Sequence, residues 1–231
     1  MREPSLALSF SDSLASNITD GIGEIVEVGL DTIMDEGILK EIPIVSTAIS
    51  LYRFGDSIRE RHHLKKLAVF IDQIRRSCPT EAKRQAYQEK FTSDAKFRNQ
   101  ELEYILILID RFVSYDKPRM LARLYLAYLE GTIMWEEFTM YSEVVDRFLF
   151  LDCRTLTTES DRIIVPHNTG GEAVLRLVAL GLMTEVTDYS SYKQQPNGHI
   201  SMTWDTLQRS ISPDRVYKRT EFGEQLASIL R

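Results

Sequence analysis

The stretch IPIVSTAISLY, residues 42–52, carries no charged side chain, and the basic stretch RFGDSIRERHHLKK follows it directly at residues 53–66. Within residues 37–54 the only charged side chains are Lys40, Glu41 and Arg53. A membrane-spanning helix needs about 20 predominantly apolar residues, so this segment is too short or too interrupted to span a bilayer. The pattern favours a helix buried in a protein core, and it leaves open a helix that enters a membrane only after a trigger.

The membrane alternative assigns a role to both stretches. The apolar side chains that would enter the bilayer are Ile42, Ile44, Val45, Ile49, Leu51 and Tyr52. The cationic side chains that would meet anionic headgroups are Arg59, Arg61, Lys65 and Lys66. Cations beside an apolar segment strengthen its binding to an anionic surface. The same cations could instead bind the phosphates of a nucleic acid, because both partners present negative charge.

Residues 18–35 predict a further helix, with apolar side chains along one side and acidic side chains along the other. The acidic residues that recur at helical spacing are Asp20, Glu24, Glu27, Asp31 and Asp35. A solvated helix face is the simpler interpretation, and we favour it. The functional alternative is a ring of carboxylates that lines a cation pore in an assembly of several copies, with the first four of these acids as the pore-lining candidates.

Composition is that of a globular protein. The chain has 231 residues, of which 43% are hydrophobic, enough for one large domain or two small ones. Its net charge of −6 is unevenly distributed: residues 1–60 carry four Lys and Arg against eleven Asp and Glu, and residues 61–100 carry ten against four. The two cysteines, Cys78 and Cys153, lack CxxC spacing, so we expect neither a zinc site nor a disulfide framework. We find no signal-peptide pattern and expect a cytoplasmic protein that can associate with the inner membrane.

Apolar residues at helical spacing predict five helices, at residues 57–78, 80–91, 95–113, 118–130 and 135–150. The first is expected to be amphipathic, with its basic residues on the sides away from the apolar stripe. It contains His62 and His63, and adjacent residues of a helix do not share a face. We therefore expect both histidines on the polar surface and no metal site between them.

The C-terminal part differs in character, because strand-forming and turn residues appear between its helices. Residues 172–186 (EAVLRLVALGLMTEV) predict a helix that ends at Gly181 and continues into a strand. Asn197-Gly198, between two strand-forming runs, predicts a hairpin, and Thr220 predicts the N-cap of a last helix. This order of elements is typical of a winged helix.

The fold class that follows is mainly α, with an N-terminal helical bundle and a small α+β winged-helix-like module. The predicted domains are an apolar and acidic helical region at residues 1–56, a helical bundle at residues 57–152 and the winged-helix-like module at residues 153–231.

The winged-helix-like module does not have the composition of a DNA reader. From residue 170 to 180 its only ionised side chains are Glu172 and Arg176, whereas a base-reading helix usually presents several Arg, Asn or Gln side chains. We therefore favour protein binding or assembly for this module. The cations that could still contact an anionic partner are Arg176, Lys218 and Arg219.

Catalytic motifs are absent from the sequence. It contains no G-x-S-x-G, no G-x-x-x-x-G-K and no H-E-x-x-H pattern. We therefore expect no enzymatic activity, no catalytic residue, no bound metal and no cofactor.

A family resemblance rests on three stretches: IPIVSTAISLYRFGDSIRERHHLKKLAVFI at residues 42–71, LRLVALGLMTE at residues 175–185 and YKRTEFGEQL at residues 217–226. With them the chain resembles the bacterial abortive-infection alpha family, whose helical members end in a winged-helix-like segment. The resemblance implies a role in phage defence, as an effector or as the partner of one.

The function expected from these observations is that of a self-associating anti-phage effector. It would act on the membrane, as an ion-conducting pore released by a nucleotide or oligonucleotide signal. The alternative is a soluble winged-helix scaffold or nucleic-acid-binding regulator. The partners considered are further copies of the chain, a membrane, a nucleotide or oligonucleotide ligand, and another protein.

Overall fold

The computed structural model describes residues 6–15, 42–52, 58–77, 81–160, 162–166, 170–186 and 215–231. The chain divides into two compact units, Met1–Asp146 (unit 1) and Arg147–Arg231 (unit 2). The boundary therefore precedes the predicted module start at residue 153. The helices described at residues 6–15 and 42–52 belong to the same unit as the helices that follow them. The acidic residues Asp20, Glu24, Glu27 and Asp31 lie outside the described residues.

Unit 1 is built from helices. They are α1 (Leu6–Ala15), α2 (Pro43–Tyr52), α3 (Ile58–Arg76), α4 (Glu81–Ser93), α5 (Ala95–Arg111), α6 (Asp116–Leu129) and α7 (Trp135–Arg147), the last of which reaches the boundary. Helices α3 to α7 confirm the five helices predicted from the spacing of apolar residues, with ends that differ by a few positions. Gly131, with a φ of 76°, lies in the turn between α6 and α7.

Helix α3 lies at the centre of unit 1 and packs against α1, α2, α5 and α6. In α3 every residue from 63 to 71 is buried, so the prediction that the basic residues lie away from the buried side was wrong for Lys65 and Lys66. Its neighbours surround it on several sides, which a one-sided apolar stripe does not reveal. Basic residues in such a helix need partners inside the protein, because a buried charge without one is costly.

An aromatic cluster joins α1 to the other helices of unit 1. Phe10 of α1 is fully buried, and its ring centroid lies 4.6 Å from that of Phe91 in α4. The ring centroids of Phe70 in α3 and Tyr125 in α6 each lie 6.3 Å from that of Phe10. Burial of a phenylalanine contributes about 1.5–3 kcal/mol, so Phe10 alone gives α1 a firm attachment.

Unit 2 combines short helices with a sheet. Its elements are α8 (Phe150–Leu156), β1 (Arg162–Val165), α9 (Glu172–Ala179), β2 (Met183–Val186), β3 (Arg215–Arg219) and α10 (Glu221–Leu230). The sheet is antiparallel with the strand order β1-β3-β2, so the last strand is central. The mainly α fold with a small α+β module is therefore confirmed. The predicted hairpin at Asn197-Gly198 lies outside the described residues.

The predicted ends of α9 and α10 are confirmed by their geometry. Gly181 follows α9 with a φ of 73°, a conformation that glycine adopts at little cost. The hydroxyl of Thr220 accepts a hydrogen bond of 3.0 Å from the backbone N–H of Gly223 and so caps α10. A Cβ atom on Gly223 would lie 2.0 Å from the carbonyl oxygen of Leu182, so α10 packs there at a distance that only glycine permits.

Candidate functional site

The apolar run at residues 42–52 forms α2, and its first half is part of the core. Ile42, Ile44, Val45 and Ala48 are buried, Ile49 is half-buried, and the side chains of Leu51 and Tyr52 lie outside the described ones. Helix α2 packs against α1 and α3. The run is therefore a core helix in this structure. Among the helices that the structure describes, none has both the length and the apolar character needed to cross a bilayer.

Polar groups join α1 to α2 inside this apolar interface. The hydroxyl oxygens of Ser9 and Thr47 lie 2.6 Å apart. The hydroxyl of Ser13 accepts a hydrogen bond of 2.9 Å from the backbone N–H of Ile44 and donates one of 2.7 Å to the carbonyl of Ser9. The N–H of Ile44 belongs to the first turn of α2, where no partner within the helix exists. We call the polar groups of Ser9, Ser13, Ile44 and Thr47 the α1–α2 polar contact. Through Ser13, this contact caps the first turn of α2 from a neighbouring helix.

The basic helix α3 meets the end of α5 through a cluster of charged groups around Asp110. Arg59 is exposed and donates a hydrogen bond of 2.5 Å to the Asp110 carboxylate. Burial, the largest single effect, raises the pKa of this carboxylate, but the hydrogen bond and charge of Arg59, with the nearby His63 and Lys66, together bring that pKa below its ordinary value. His63 Nδ1 lies 3.6 Å from the same carboxylate. A carboxylate in the last turn of a helix is disfavoured by the helix dipole, and these neighbours offset that cost.

Lys66 holds the end of α5 from inside the protein. It is 2% exposed, and its ammonium donates hydrogen bonds to the carbonyl oxygens of Asp110 at 3.0 Å and Phe112 at 2.5 Å. Burial lowers its pKa, and the nearby Asp110 carboxylate opposes that shift. A cation at the negative end of a helix satisfies carbonyl groups that have no partner within the helix.

The two histidines of α3 differ in their surroundings. His63 is 3% exposed, and burial lowers its pKa to about 4, so it is neutral near pH 7. His62 is half-buried: its Nε2 donates to the carbonyl of Val113 at 3.0 Å, and its Nδ1 lies 2.7 Å from the hydroxyl of Tyr115. The placement of His63 on the polar surface was therefore wrong. Within the described residues, no group of His, Cys, Asp and Glu suits a metal ion.

The predicted basic face on α3 is mostly buried. Lys65 and Lys66 are both buried, so neither is part of an exposed surface that could meet headgroups or phosphates. The side chain of Arg61 lies outside the described ones. Arg59 remains exposed, with its guanidinium beside the Asp110 carboxylate. Among the described basic side chains of α3, contact with an anionic partner therefore depends on Arg59 and on Arg76, which is exposed and paired with Asp72.

A second buried charge cluster, which sequence reasoning missed, lies between α5 and α6. Glu101 is buried and accepts two hydrogen bonds from Arg98, at 2.9 and 2.6 Å. The hydroxyls of Tyr125 and Tyr128 donate to the same carboxylate at 3.1 and 2.5 Å. The guanidinium of Arg98 also lies 5.7 Å from the ring centroid of Tyr128. The carboxylate is thus fully satisfied by its neighbours, and the cluster stabilises the contact of two helices.

In unit 2 the three predicted cations have different environments. Arg176 of α9 donates to Asp152 from Nε at 2.9 Å and from Nη2 at 2.6 Å, and Asp152 is fully buried. Arg219 is buried and donates to the carbonyls of Leu156 at 3.1 Å and Thr158 at 3.0 Å. Lys218 is exposed on the outer side of β3. Of the three, Lys218 alone has an exposed side chain outside an ion pair in the described residues.

Two acids that organise these clusters, Asp110 and Asp152, were missed from the sequence. A signal for each was present. Asp110 follows the apolar run YILILI at residues 104–109. An acidic side chain at the C-terminal end of a helix is unfavourable unless a cation lies beside it, so this position indicates a basic partner. Asp152 stands alone in the apolar run FLFLD at residues 148–152, and a lone acid there indicates a buried partner.

Comparison of the chain with protein-family models, curated proteins and solved structures finds no match. The resemblance to the abortive-infection alpha family therefore stays a prediction.

Proposed function

We propose that this chain is a bacterial anti-phage protein of the abortive-infection type, which associates with copies of itself and acts on the membrane after a trigger. The observation that supports it is the placement of α2, an apolar helix held in the core by the α1–α2 polar contact. The proposal needs two states, one with α2 packed and one with α2 released. The structure is that of the packed state.

The cost of releasing α2 explains why a trigger is required. Exposure of Ile42, Ile44 and Val45 costs about 1.5–3 kcal/mol for each side chain, or about 5–9 kcal/mol together. That sum is comparable with the whole stability of a typical domain, about 5–15 kcal/mol. In water α2 therefore stays packed, whereas a membrane returns its apolar side chains to an apolar environment.

The length of α2 limits how it would act. With 10 residues it is about 15 Å long, half of the roughly 30 Å hydrocarbon core of a bilayer. By itself α2 would lie within one leaflet rather than span the membrane. A pore would need further segments, for which the acidic residues 18–35 are the candidates.

A disulfide between α1 and α2 tests the proposal. In a chain with Cys78→Ser and Cys153→Ser, the pair Ser9→Cys and Thr47→Cys replaces two oxygens that lie 2.6 Å apart. This brings the Cβ atoms near the separation of about 3.5–4.5 Å that a disulfide requires. We expect dye release and ion flux from anionic liposomes, with nucleotides present as candidate triggers, to be lost on oxidation and restored by a reductant.

The controls are the two single-cysteine variants, which cannot form the bridge and should respond equally in both redox conditions. Equal flux from the oxidised and reduced double variant would refute a role for α2 release. Intact liposomes with the wild-type chain under every condition would refute membrane action.

A soluble scaffold or nucleic-acid-binding regulator is the second candidate, favoured by the exposed cations of the sheet. Arg162 of β1 and Thr184 of β2 both pair in register with Lys218 of β3, so all three side chains point to one face. All three are exposed. Oligonucleotide binding that weakens steeply with salt, and that Lys218→Glu reduces, would favour this function.

A further inference from the structure

The outer sides of α8 and α9 expose large apolar residues. Leu149, Phe150 and Leu151 are consecutive at the start of α8, and Phe150 is 69% exposed. Leu175 of α9 is 44% exposed. Single exposed apolar residues are common, but grouped ones mark interaction sites. We call these four residues, with Arg154 and Glu172 beside them, the α8–α9 surface.

The two helices that carry this surface are fixed to each other. They are in contact, and the ion pair between Asp152 and Arg176 joins them at the residues that follow Leu151 and Leu175. The opposite sides of both helices are buried, at Leu156 of α8 and at Ala173, Val174 and Leu177 of α9. The exposed side chains therefore stand on a rigid support, which favours specific docking.

The charges of the surface fit a second copy of the same chain. Arg154 is exposed on α8 and Glu172 is exposed on α9; within the described residues Arg154 forms no ion pair, and Glu172 interacts with Arg176 beyond ion-pair distance. A two-fold interface brings residue i of one copy onto residue j of the other, and residue j onto residue i. If α8 of one copy lies on α9 of the other, two Arg154–Glu172 pairs flank one apolar centre.

We propose that the α8–α9 surface is a two-fold interface between two copies of this chain. This interface rests on the self-association in the proposed function, and it is the surface through which two copies associate. Base reading by α9 is disfavoured for the same reason, because its cation Arg176 is held by Asp152 and its exposed residues are apolar or acidic.

Sedimentation equilibrium of the full chain tests the apolar part of the interface. Phe150→Ser should raise the dimer dissociation constant about a hundredfold, because the substitution is present in both copies and removes two phenylalanine side chains from one interface. The matched control is Ile164→Ser, an exposed apolar residue on β1 outside the surface, which should leave dissociation unchanged.

A mixing experiment tests the two-fold arrangement. Arg154→Glu and Glu172→Lys each place like charges opposite one another, so each variant alone should be monomeric where the wild type is dimeric. An equal mixture restores both pairs in a heterodimer, which no contact within one chain can do. A mixture that stays monomeric would overturn the two-fold arrangement.

The outcomes separate this inference from the proposed function. A wild-type dimer that Phe150→Ser and Ile164→Ser leave equally intact would overturn the α8–α9 interface alone. A wild-type chain that is monomeric at every concentration would overturn self-association as well.

Discussion

Acid should destabilise unit 1 through His63. Its pKa is lowered from 6.5 to about 4 mainly by burial, so the folded state takes up this proton later than the unfolded state as the pH falls. Between these two values the unfolded state binds more protons, and the free energy of unfolding therefore decreases with decreasing pH. The two pKa values predict that the free energy of unfolding falls by about 2 kcal/mol between about pH 7 and about pH 5.

The assay is urea unfolding followed by the fluorescence of Trp135, whose ring stacks on Phe138 in unit 1 at a centroid distance of 4.9 Å. Trp204→Phe removes the other tryptophan. His63→Gln cannot take up the proton, so its stability should fall by about 2 kcal/mol less than that of the wild type over this range. His62→Gln is the matched control from the neighbouring position. Parallel pH curves for the wild type and His63→Gln would refute the reasoning.

Two further substitutions test unit 2, each by thermal and urea unfolding. Gly223→Ala places a methyl group 2.0 Å from the carbonyl oxygen of Leu182, so the backbone must move. We expect the free energy of unfolding to fall by roughly 2–4 kcal/mol. The control is Ser228→Ala on the exposed side of α10, which should change stability little. Arg176→Met leaves the fully buried Asp152 without its cation and should lower the free energy of unfolding, while adding Asp152→Leu removes the unpaired charge and should recover part of that loss.

Local pattern predicted several of the elements that the structure describes. Helices α3 to α7 follow from apolar spacing, because that spacing repeats within each segment and needs no knowledge of its neighbours. The N-cap at Thr220 and the helix end at Gly181 were likewise predicted, because capping depends on one residue and its own backbone.

The surroundings of the basic residues could not be predicted in the same way. Lys66 is buried because the end of α5, 44 positions later in the chain, presents carbonyl oxygens to it. The burial of His63 likewise depends on helices that pack around α3 from distant parts of the sequence. A helical pattern shows which side chains are apolar, but it does not show how many neighbours a helix will have.

The position of α1 has a consequence for synthesis on the ribosome. Although α1 begins at Leu6, it packs against α4 and α5, so its site is incomplete until Arg111 has been made. At about 5–20 residues per second, roughly 100 residues take about 5–20 s to emerge. During that interval α1 and α2 have no finished core to join, and nascent-chain chaperones or a nearby membrane surface would meet these apolar helices before their own partners do.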